Sequence, residues 1–320
     1  MKIHSRWIAL SRWSGQFDPR ELLGLGPLER LKTFPGAPPG LCAALARCEG
    51  LAEVRPEVRK LGDADYPCAL LDLERPPPLL WGRGRWELLD EPALAVVGAR
   101  ACTAYGRSVA GRIGSAAATE GVVVVSGAAR GIDRAAQTAA LDAGGRTLSV
   151  LGAGLDAHPP RAAVGFYDRV EVQGLAVSEF PPDTPPSRFT FPRRNRIIAA
   201  LSQATVVVEA ARRSGALHTA NAALRLGRPL LAVPGPVDGV ASQGCNRLIA
   251  QGAGIVTTIA DALAPVRPPG GLIDSLAAPI TVTQLAAATG QDARRVAAQL
   301  VALELTGRVR RLADRRYVRT

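Results

Sequence analysis

Lysine, methionine and aromatic side chains are scarce in this sequence of 320 residues. Only three of the 39 basic residues are lysine, there is one methionine, and aromatic residues make up 4% of the chain. The net charge of +11 is therefore carried almost entirely by arginine, whose planar guanidinium matches phosphate oxygens bidentately. Such a charge favours an anionic partner, although arginine can also be abundant because of genome composition.

Signals for metal sites, secretion and membrane spans are also missing. The five cysteines form no Cys-x-x-Cys pair, and their odd number argues against a secreted disulfide scaffold. The three histidines are isolated, and none has a second ligand at metal spacing, so no metal site is expected. No run reaches the roughly 18 apolar residues of a membrane span, and polar residues interrupt the N-terminal apolar stretch too early for a signal peptide. We therefore expect a cytoplasmic protein.

Short apolar, β-branched runs alternate with Ala-rich helical stretches between residues 94 and 258. Continuous apolar strands are buried on both faces, so this pattern predicts an α/β fold with a doubly wound, mostly parallel sheet. The predicted strands are Leu94–Gly98, Val122–Ser126, Thr147–Leu151, Leu175–Ser178, Thr205–Glu209, Pro229–Val233 and Ile255–Thr258.

The composition divides the rest of the chain around this sheet. Residues 1–65 predict a small helical N-terminal domain, residues 66–265 the sheet domain, and the proline-rich residues 266–275 a linker. Residues 276–320 combine two helical patterns with a short hairpin, which predicts a C-terminal winged helix. Its second helix carries only Arg294 and Arg295 as candidate DNA readers, so DNA binding and protein binding remain open for this module.

Three strand-to-helix junctions contain glycine and have an arginine within or next to them. They begin at Gly98, Ser126 and Ser214. Glycine lets the backbone approach an anion closely, and the first N–H groups of a following helix point at it. The carboxyl ends of parallel strands share one edge of the sheet, where ligands bind. We predict a phosphate-binding track whose residues are Gly98, Arg100, Ser126, Gly127, Arg130, Gly131, Ser214 and Gly215.

A dense basic cluster with two aromatic residues precedes an apolar helical run at residues 197–201. Its guanidinium groups could bind phosphates, and Phe189 or Phe191 could stack on unpaired bases. A solvated helix face with an ordinary core anchor would have a similar pattern. The candidate DNA-binding residues of this cluster are Phe191, Arg193, Arg194, Asn195 and Arg196.

Motifs of nucleotide-dependent enzymes are missing or misplaced. There is no Walker loop, and two prolines follow the GxGxxA letters of residues 152–157 where a cofactor-binding helix would begin. Glu179 and Glu209, at strand ends, could act as general acid and base in a nucleosidase-type hydrolysis. We favour a role in orienting arginines or capping helices, and expect Asp133 in the first turn of a helix. We therefore predict no cofactor and no catalytic residue.

An ordered series of motifs across about residues 66–265 resembles DNA-processing protein A (DprA, also called Smf). The series comprises Gly98-Ala99-Arg100, Ser126 to Asp133, Ser178 to Pro182, Phe191 to Ser202, and Gly227 to Ile249. The resemblance implies a Rossmann-like domain that binds single-stranded DNA, associates as a homodimer and loads RecA onto incoming strands in natural transformation.

The resemblance also places individual residues. The family's G-x-R arginine corresponds to Arg100, its S-G-x-A-x-G-I-D loop to Ser126–Asp133, and its basic element to Arg193–Arg196. The chain departs from the family at residues 158–165, where many members have Tyr-Pro and then an asparagine, and this chain has His-Pro-Pro followed by small residues.

The sequence therefore indicates a non-enzymatic, single-stranded-DNA-binding recombination mediator. One alternative is a Rossmann-like nucleotide phosphoribohydrolase, although its P-G-G-x-G-T-x-x-E motif is missing. Another is a winged-helix repressor with a ligand-sensing sheet, which would require sequence-specific binding to duplex DNA.

Overall fold

The computed structural model describes residues 2–12, 51–53, 57–157, 160–266 and parts of 276–319. The chain divides into two compact units, Met1–Pro265 and Val266–Thr320, each with its own buried core. No helix within the described ranges is long and apolar enough to cross a membrane.

The larger unit begins with a small antiparallel pair, β1 (Lys2–His4) and β2 (Leu51–Glu53), with α1 (Ser5–Arg12) following β1. Residues 13–50, which hold most of the predicted helical domain, lie outside the described residues.

The main sheet contains nine strands within the described part of the chain. They are β3 (Glu57–Lys60), β4 (Leu79–Gly84), β5 (Ala93–Val97), β6 (Val123–Ser126), β7 (Thr147–Val150), β8 (Leu175–Ser178), β9 (Ala204–Val207), β10 (Leu230–Ala232) and β11 (Gly254–Ile255). Their order is β11-β10-β9-β5-β6-β7-β8-β4-β3. The strands from β11 to β8 in this order pair in parallel, whereas β4 and β3 are antiparallel to their neighbours.

Helices follow most of the parallel strands and flank the sheet. They are α2 (Ala104–Thr119), α3 (Ile132–Asp142), α4 (Val164–Gln173), α5 (Thr190–Ala200), α6 (Ala216–Arg225), α7 (Gln243–Ala250) and α8 (Ile259–Leu263). Strands such as β5, in which every residue is buried, are covered on both faces. The predicted fold class is confirmed, and each of the seven predicted strands is present with ends shifted by no more than three residues.

Two antiparallel strands were not predicted from the sequence. The strand β4 follows Pro76-Pro77-Pro78, which indicated only an extended segment, yet its Trp81 is fully buried. The strand β3 lies within the stretch assigned to the helical domain and pairs with β4. The sheet therefore begins at Glu57 rather than at residue 66.

The chain changes direction across the sheet at β5. It moves outward from β5 through β6, β7 and β8, and then returns to place β9 on the other side of β5. The loops that follow β5 and β9 consequently leave in opposite directions and open a crevice at the carboxyl edge of the sheet.

The smaller unit contains α9 (Val282–Thr289) and an antiparallel hairpin of β12 (Val309–Arg311) and β13 (Tyr317–Arg319). Its core includes Leu285 and Val309. A helix packed with a small hairpin is the arrangement of the predicted winged helix. The two candidate readers, Arg294 and Arg295, lie outside the described residues.

Candidate nucleic-acid interface

A groove of about 600 Å³ opens at the crevice between β5 and β9. The loop after β5, residues 98–101, forms one wall, and residues 213–216 at the start of α6 form another. Phe191 and Asn195 of α5 also line it. We call this the switch groove, and it lies where open α/β sheets bind their ligands.

A larger groove of about 950 Å³ adjoins the switch groove on the side of β6 and β7. It is lined by residues 127–130 after β6, residues 151–157 after β7, and α4. We call it the side groove. Arg100, Ala129 and Phe191 line both grooves and form their common wall.

Arg100 and Phe191 are stacked on this common wall. The guanidinium carbon of Arg100 lies 4.7 Å from the centre of the Phe191 ring. Arg100 is exposed, and no carboxylate pairs with it among the described residues. The stack therefore fixes the plane of the guanidinium while its N–H edge remains available to an anion.

The loop after β6 is held in place by a buried carboxylate. Asp133 lies in the first turn of α3, as predicted, and its Oδ2 accepts a hydrogen bond of 3.1 Å from the N–H of Gly127. Burial raises the pKa of Asp133, and the nearby Arg194 acts in the opposite direction. Gly131, just before α3, has a φ of +97°, and a Cβ there would collide with the carbonyl of Ala99. This loop and the loop after β5 are therefore in direct contact.

Arg194 holds the same loop from the other side. It is only 3% exposed, and its Nη1 donates to the carbonyls of Gly127, at 2.8 Å, and of Val150. Burial lowers its pKa to about 10, and Asp133 opposes that shift. Its Nε donates to Oδ1 of Asn195 at 3.1 Å, so Nη1 and Nε are used inside the protein, while Arg194 also lines the switch groove. The predicted contact of Arg194 with DNA stays a prediction. Arg194 positions the loop.

Ser126 and Arg130, two other predicted residues of this loop, differ in their exposure to solvent. The Ser126 side chain is fully buried, and its hydroxyl donates to the carbonyl of Val96 at 2.6 Å. The Ser126 hydroxyl is therefore used inside the protein, and a contact of Ser126 with DNA stays a prediction. Arg130 is exposed and lines the side groove.

Arg193 and Arg196 line neither the switch groove nor the side groove. Arg196 forms an ion pair with the fully buried Glu179 and donates to the carbonyl of Arg75 at 2.7 Å. Arg193 lies over the ring of Phe180, 5.0 Å from its centre. Their contact with DNA stays a prediction, and the structure shows a packing role for both.

Glu209 caps α2. Its Oε2 accepts from the N–H of Thr103 at 2.8 Å, and its Oε1 accepts from the Thr103 hydroxyl. The Thr103 side chain in turn accepts from the N–H of Gly106. A Cβ at Gly106 would collide with the carboxylate. Both oxygens of Glu209 are thus engaged in fastening β9 to the start of α2, as the sequence interpretation favoured.

The start of α6 presents bare backbone to the switch groove. Gly215 has a φ of −60°, and a Cβ at this position would meet no atom within 4 Å. Neither strain nor packing explains this glycine. The missing side chain leaves the Gly215 backbone accessible from the groove at the positive end of the α6 dipole, which suits an anion. Asn195 joins α5 to this wall, because its Nδ2 donates to the Gly215 carbonyl at 3.2 Å.

The sequence analysis missed one exposed cation of the switch groove. Arg213 directly precedes the Ser214 junction and lines the groove. Its place in the sequence was a usable signal, because an arginine next to a helix N-terminus at the carboxyl edge adds to the same anion site. Together with Arg100, it makes the rim of the switch groove positive.

The fold and the grooves define a Rossmann-like α/β protein whose carboxyl edge is suited to phosphates and flat groups. A family model described as DNA recombination-mediator protein A matches residues 57–267, and one described as DprA winged helix domain matches residues 274–315. The chain therefore belongs to the DprA (Smf) family of DNA recombination mediators, as the motif series implied.

Similar proteins come from several bacteria. The chain is 42% identical to DprA of Streptococcus pneumoniae over 202 aligned residues. These residues make up 63% of this chain and 71% of the relative. It is 47% identical over 193 residues to Smf of Escherichia coli, covering 60% of this chain and 52% of the relative. The match thus spans about half the length of the E. coli protein.

Two solved structures are similar over most of their length. The X-ray structure of S. pneumoniae DprA has a TM-score of 0.71 at 34% identity and covers 82% of this chain and 98% of its own. The structure of Helicobacter pylori DprA has a TM-score of 0.59 at 30% identity, and the match covers 65% of this chain and 94% of the H. pylori chain. A single-stranded-DNA binding mode has been described for the H. pylori protein.

Proposed function

We propose that this protein binds single-stranded DNA along the switch groove and the side groove, and acts as a recombination mediator. The Arg100–Phe191 stack is the observation that carries this proposal. It places a cation and an aromatic ring on the wall that both grooves share. A strand crossing from one groove to the other would meet a phosphate contact and a stacking surface at the same point.

The chemistry of the switch groove fits a nucleic acid backbone. Arg213, the accessible backbone at Gly215 and the edge of Arg100 offer phosphate contacts from different walls. These groups read no base edge in this groove, so affinity there should depend on charge and length rather than on sequence. Unpaired bases are needed for stacking on Phe191, which favours single strands over duplexes.

The further steps of the proposed role follow the resemblance to the DprA family. The protein would protect incoming single strands in the cytoplasm, load RecA onto them during natural transformation, and work as a homodimer. The H. pylori relative, with its described single-stranded-DNA binding mode, supports the first of these steps.

We propose that the protein is not an enzyme. The carboxylate that lines the switch groove is that of Asp133, and it accepts a hydrogen bond from the Gly127 N–H. Glu209 has both oxygens bound to Thr103. A phosphoribohydrolase would need such a group free beside the glycosidic bond of its nucleotide, so this alternative is disfavoured for the switch groove.

Fluorescence anisotropy with a labelled oligothymidine tests DNA binding. Arg100→Ala should weaken binding by about 1.5–3 kcal/mol, the range of a charge-assisted hydrogen bond. Arg112→Ala is the matched control, because Arg112 is exposed on α2 and lines neither groove. Unlabelled duplex and mononucleotides serve as competitors. Equal affinity of the wild type and a folded Arg100→Ala variant would refute the proposed DNA path.

RecA loading is tested separately. RecA filament formation on strands covered by single-strand-binding protein should be faster with the wild-type protein and Arg112→Ala than with Arg100→Ala. Stimulation that Arg100→Ala leaves intact would show that any effect on RecA does not pass through the grooves.

A further inference from the structure

Phe189 is the one exposed phenylalanine among the described residues, at 66% exposure. It lines neither groove, but the segment that carries it joins the two openings. Pro186 of this segment lines the side groove, and Arg188 lines the switch groove. Isolated exposed apolar residues are common on protein surfaces. Phe189 differs from them in its rigid support and in its position between two grooves that suit DNA.

The backbone of Phe189 is fixed by reciprocal hydrogen bonds between Ser187 and Thr190. The Ser187 hydroxyl accepts from the N–H groups of Phe189, at 3.3 Å, and of Thr190, at 3.2 Å. The Thr190 hydroxyl donates to the Ser187 carbonyl and accepts from the Ser187 N–H, both at 3.0 Å. Thr190 is buried in the first turn of α5. Because the chain is held where it enters the helix, little freedom is lost when a ligand stacks on the ring.

Arg188 stacks on the Phe189 ring, with its guanidinium carbon 4.8 Å from the ring centre. Arg188 is exposed, and no carboxylate pairs with it within the described ranges. The pair therefore combines a flat apolar surface with a cation whose N–H edge can hold a phosphate. This is the combination found in Arg100 and Phe191, but it lies at the opening of the switch groove rather than on the wall between the grooves.

The position of Phe189 determines which group can stack on it. Stacking on Phe191 inside the grooves needs unpaired bases, so a duplex that continues the bound strand must stop at the opening, beside Phe189. The last base pair of a duplex presents the flat face of two bases and is already ordered. An unpaired nucleotide outside the groove would first have to be immobilised, which costs conformational entropy. The end of a duplex is therefore the ligand that this ring suits best.

We infer that Arg188 and Phe189 form a docking surface for the end of a duplex, so that the protein recognises the junction between single-stranded and double-stranded DNA. The terminal base pair stacks on Phe189, Arg188 contacts the phosphate at the junction, and the single-stranded tail enters the switch groove. The ring reads no base edge, so the sequence of the terminal pair should not matter.

This inference rests on the proposed function and deepens it, because it assigns a class of substrate to the same site. The substrate is a duplex with a single-stranded tail rather than a single strand alone.

Fluorescence anisotropy tests the inference by comparing an oligothymidine with a DNA hairpin that carries the same oligothymidine as a 3′ or a 5′ tail. A blunt hairpin measures binding to duplex alone. The wild type should bind the tailed hairpin of at least one polarity about fivefold more tightly than the free oligomer, which is the lower end of one base–aromatic stack.

Two substitutions of Phe189 separate stacking from simple apolar contact. Phe189→Leu should remove the preference for the tailed hairpin and leave the affinity for the free oligomer unchanged, because leucine has no flat face. Phe189→Trp should retain the preference. Val172→Ala is the matched control, since Val172 is an exposed apolar residue of α4 that lines neither groove. A 2-aminopurine in the terminal base pair should be quenched by the wild type and not by Phe189→Leu.

Each result has a defined meaning once circular dichroism has shown that the variants are folded. Equal affinity of the wild type for the free oligomer and for both tailed hairpins overturns the inference, while the proposed function stands because the oligomer binds. A preference that Phe189→Leu retains also overturns it and reflects the additional phosphates of the duplex.

The remaining outcomes separate the ring from the grooves. If Phe189→Leu weakens binding of the oligomer and the tailed hairpins equally, the ring stacks on unpaired bases and the inference is overturned. If the oligomer does not bind at all, the proposed function fails. Binding of the blunt hairpin that Phe189→Leu abolishes would then still support the docking surface for a duplex end.

Discussion

Removing the buried guanidinium of Arg194 should destabilise the sheet domain rather than weaken DNA contacts directly. In Arg194→Ala the carbonyls of Gly127 and Val150 lose their donor, and the buried Asp133 loses the cation that favours its charged form. Asp133 and Arg194 are nearby buried opposite charges rather than a contact ion pair, so the cost should be at most the roughly 3–5 kcal/mol of breaking a buried pair. This upper limit corresponds to a fall in Tm of roughly 6–20 °C for a domain of about this size.

Thermal and urea denaturation followed by circular dichroism measures this loss. Arg130→Ala is the matched control, since Arg130 belongs to the same loop but is exposed, and its removal should change stability by no more than about 0.5 kcal/mol. The opposite pattern, with Arg194→Ala as stable as the wild type but unable to bind single strands, would restore the phosphate-ligand role predicted from the sequence.

Four further outcomes are expected. The loss of stability caused by Arg194→Ala should shrink at mildly acidic pH. Because the pKa of Asp133 is raised in the folded state, the stability linked to its proton is present at low pH and is lost as the pH rises through the raised pKa. This loss is larger without Arg194, whose charge lowers that pKa. A gap in urea stability that widens with acidification would contradict this. Gly127→Ala should unfold at lower temperature than the wild type, whereas Gly215→Ala should not, since only the former Cβ meets other atoms; equal Tm values would show that the loop yields. Affinity for oligothymidine should fall steeply with salt, with a log–log slope of about −0.7 per phosphate contact, and a flat profile would exclude the phosphate track. Chromatography after incubation with each nucleoside monophosphate should show no free base, and base release that Glu209→Gln abolishes would favour the hydrolase.

The sheet could be predicted from the sequence because its parallel strands are continuous apolar runs that fit no other environment. The strand β4 was missed for a local reason. Three prolines precede it, and its sequence Leu79–Gly84 ends in glycine and arginine, which is more typical of a loop. It is antiparallel and follows no βα unit, so the spacing rule that located the other strands did not apply.

The candidate site was predictable as a set of loops but not residue by residue. Neighbouring arginines have the same chemistry, and only helix geometry separates them. Arg194 stands three and four positions before Ile197 and Ile198, which places it on the buried face of α5. That signal was present in the sequence.

Gly127 and Arg194 occupy the same small volume although 67 positions separate them in the chain. A side chain at residue 127 would collide with the guanidinium, and a shorter side chain at residue 194 would leave a gap and an uncompensated Asp133. Neither position can change alone without cost, so the two substitutions should show strong epistasis. Among relatives, a residue larger than glycine at the first position should accompany loss of arginine at the second, which makes this pair a co-varying contact that an alignment can test.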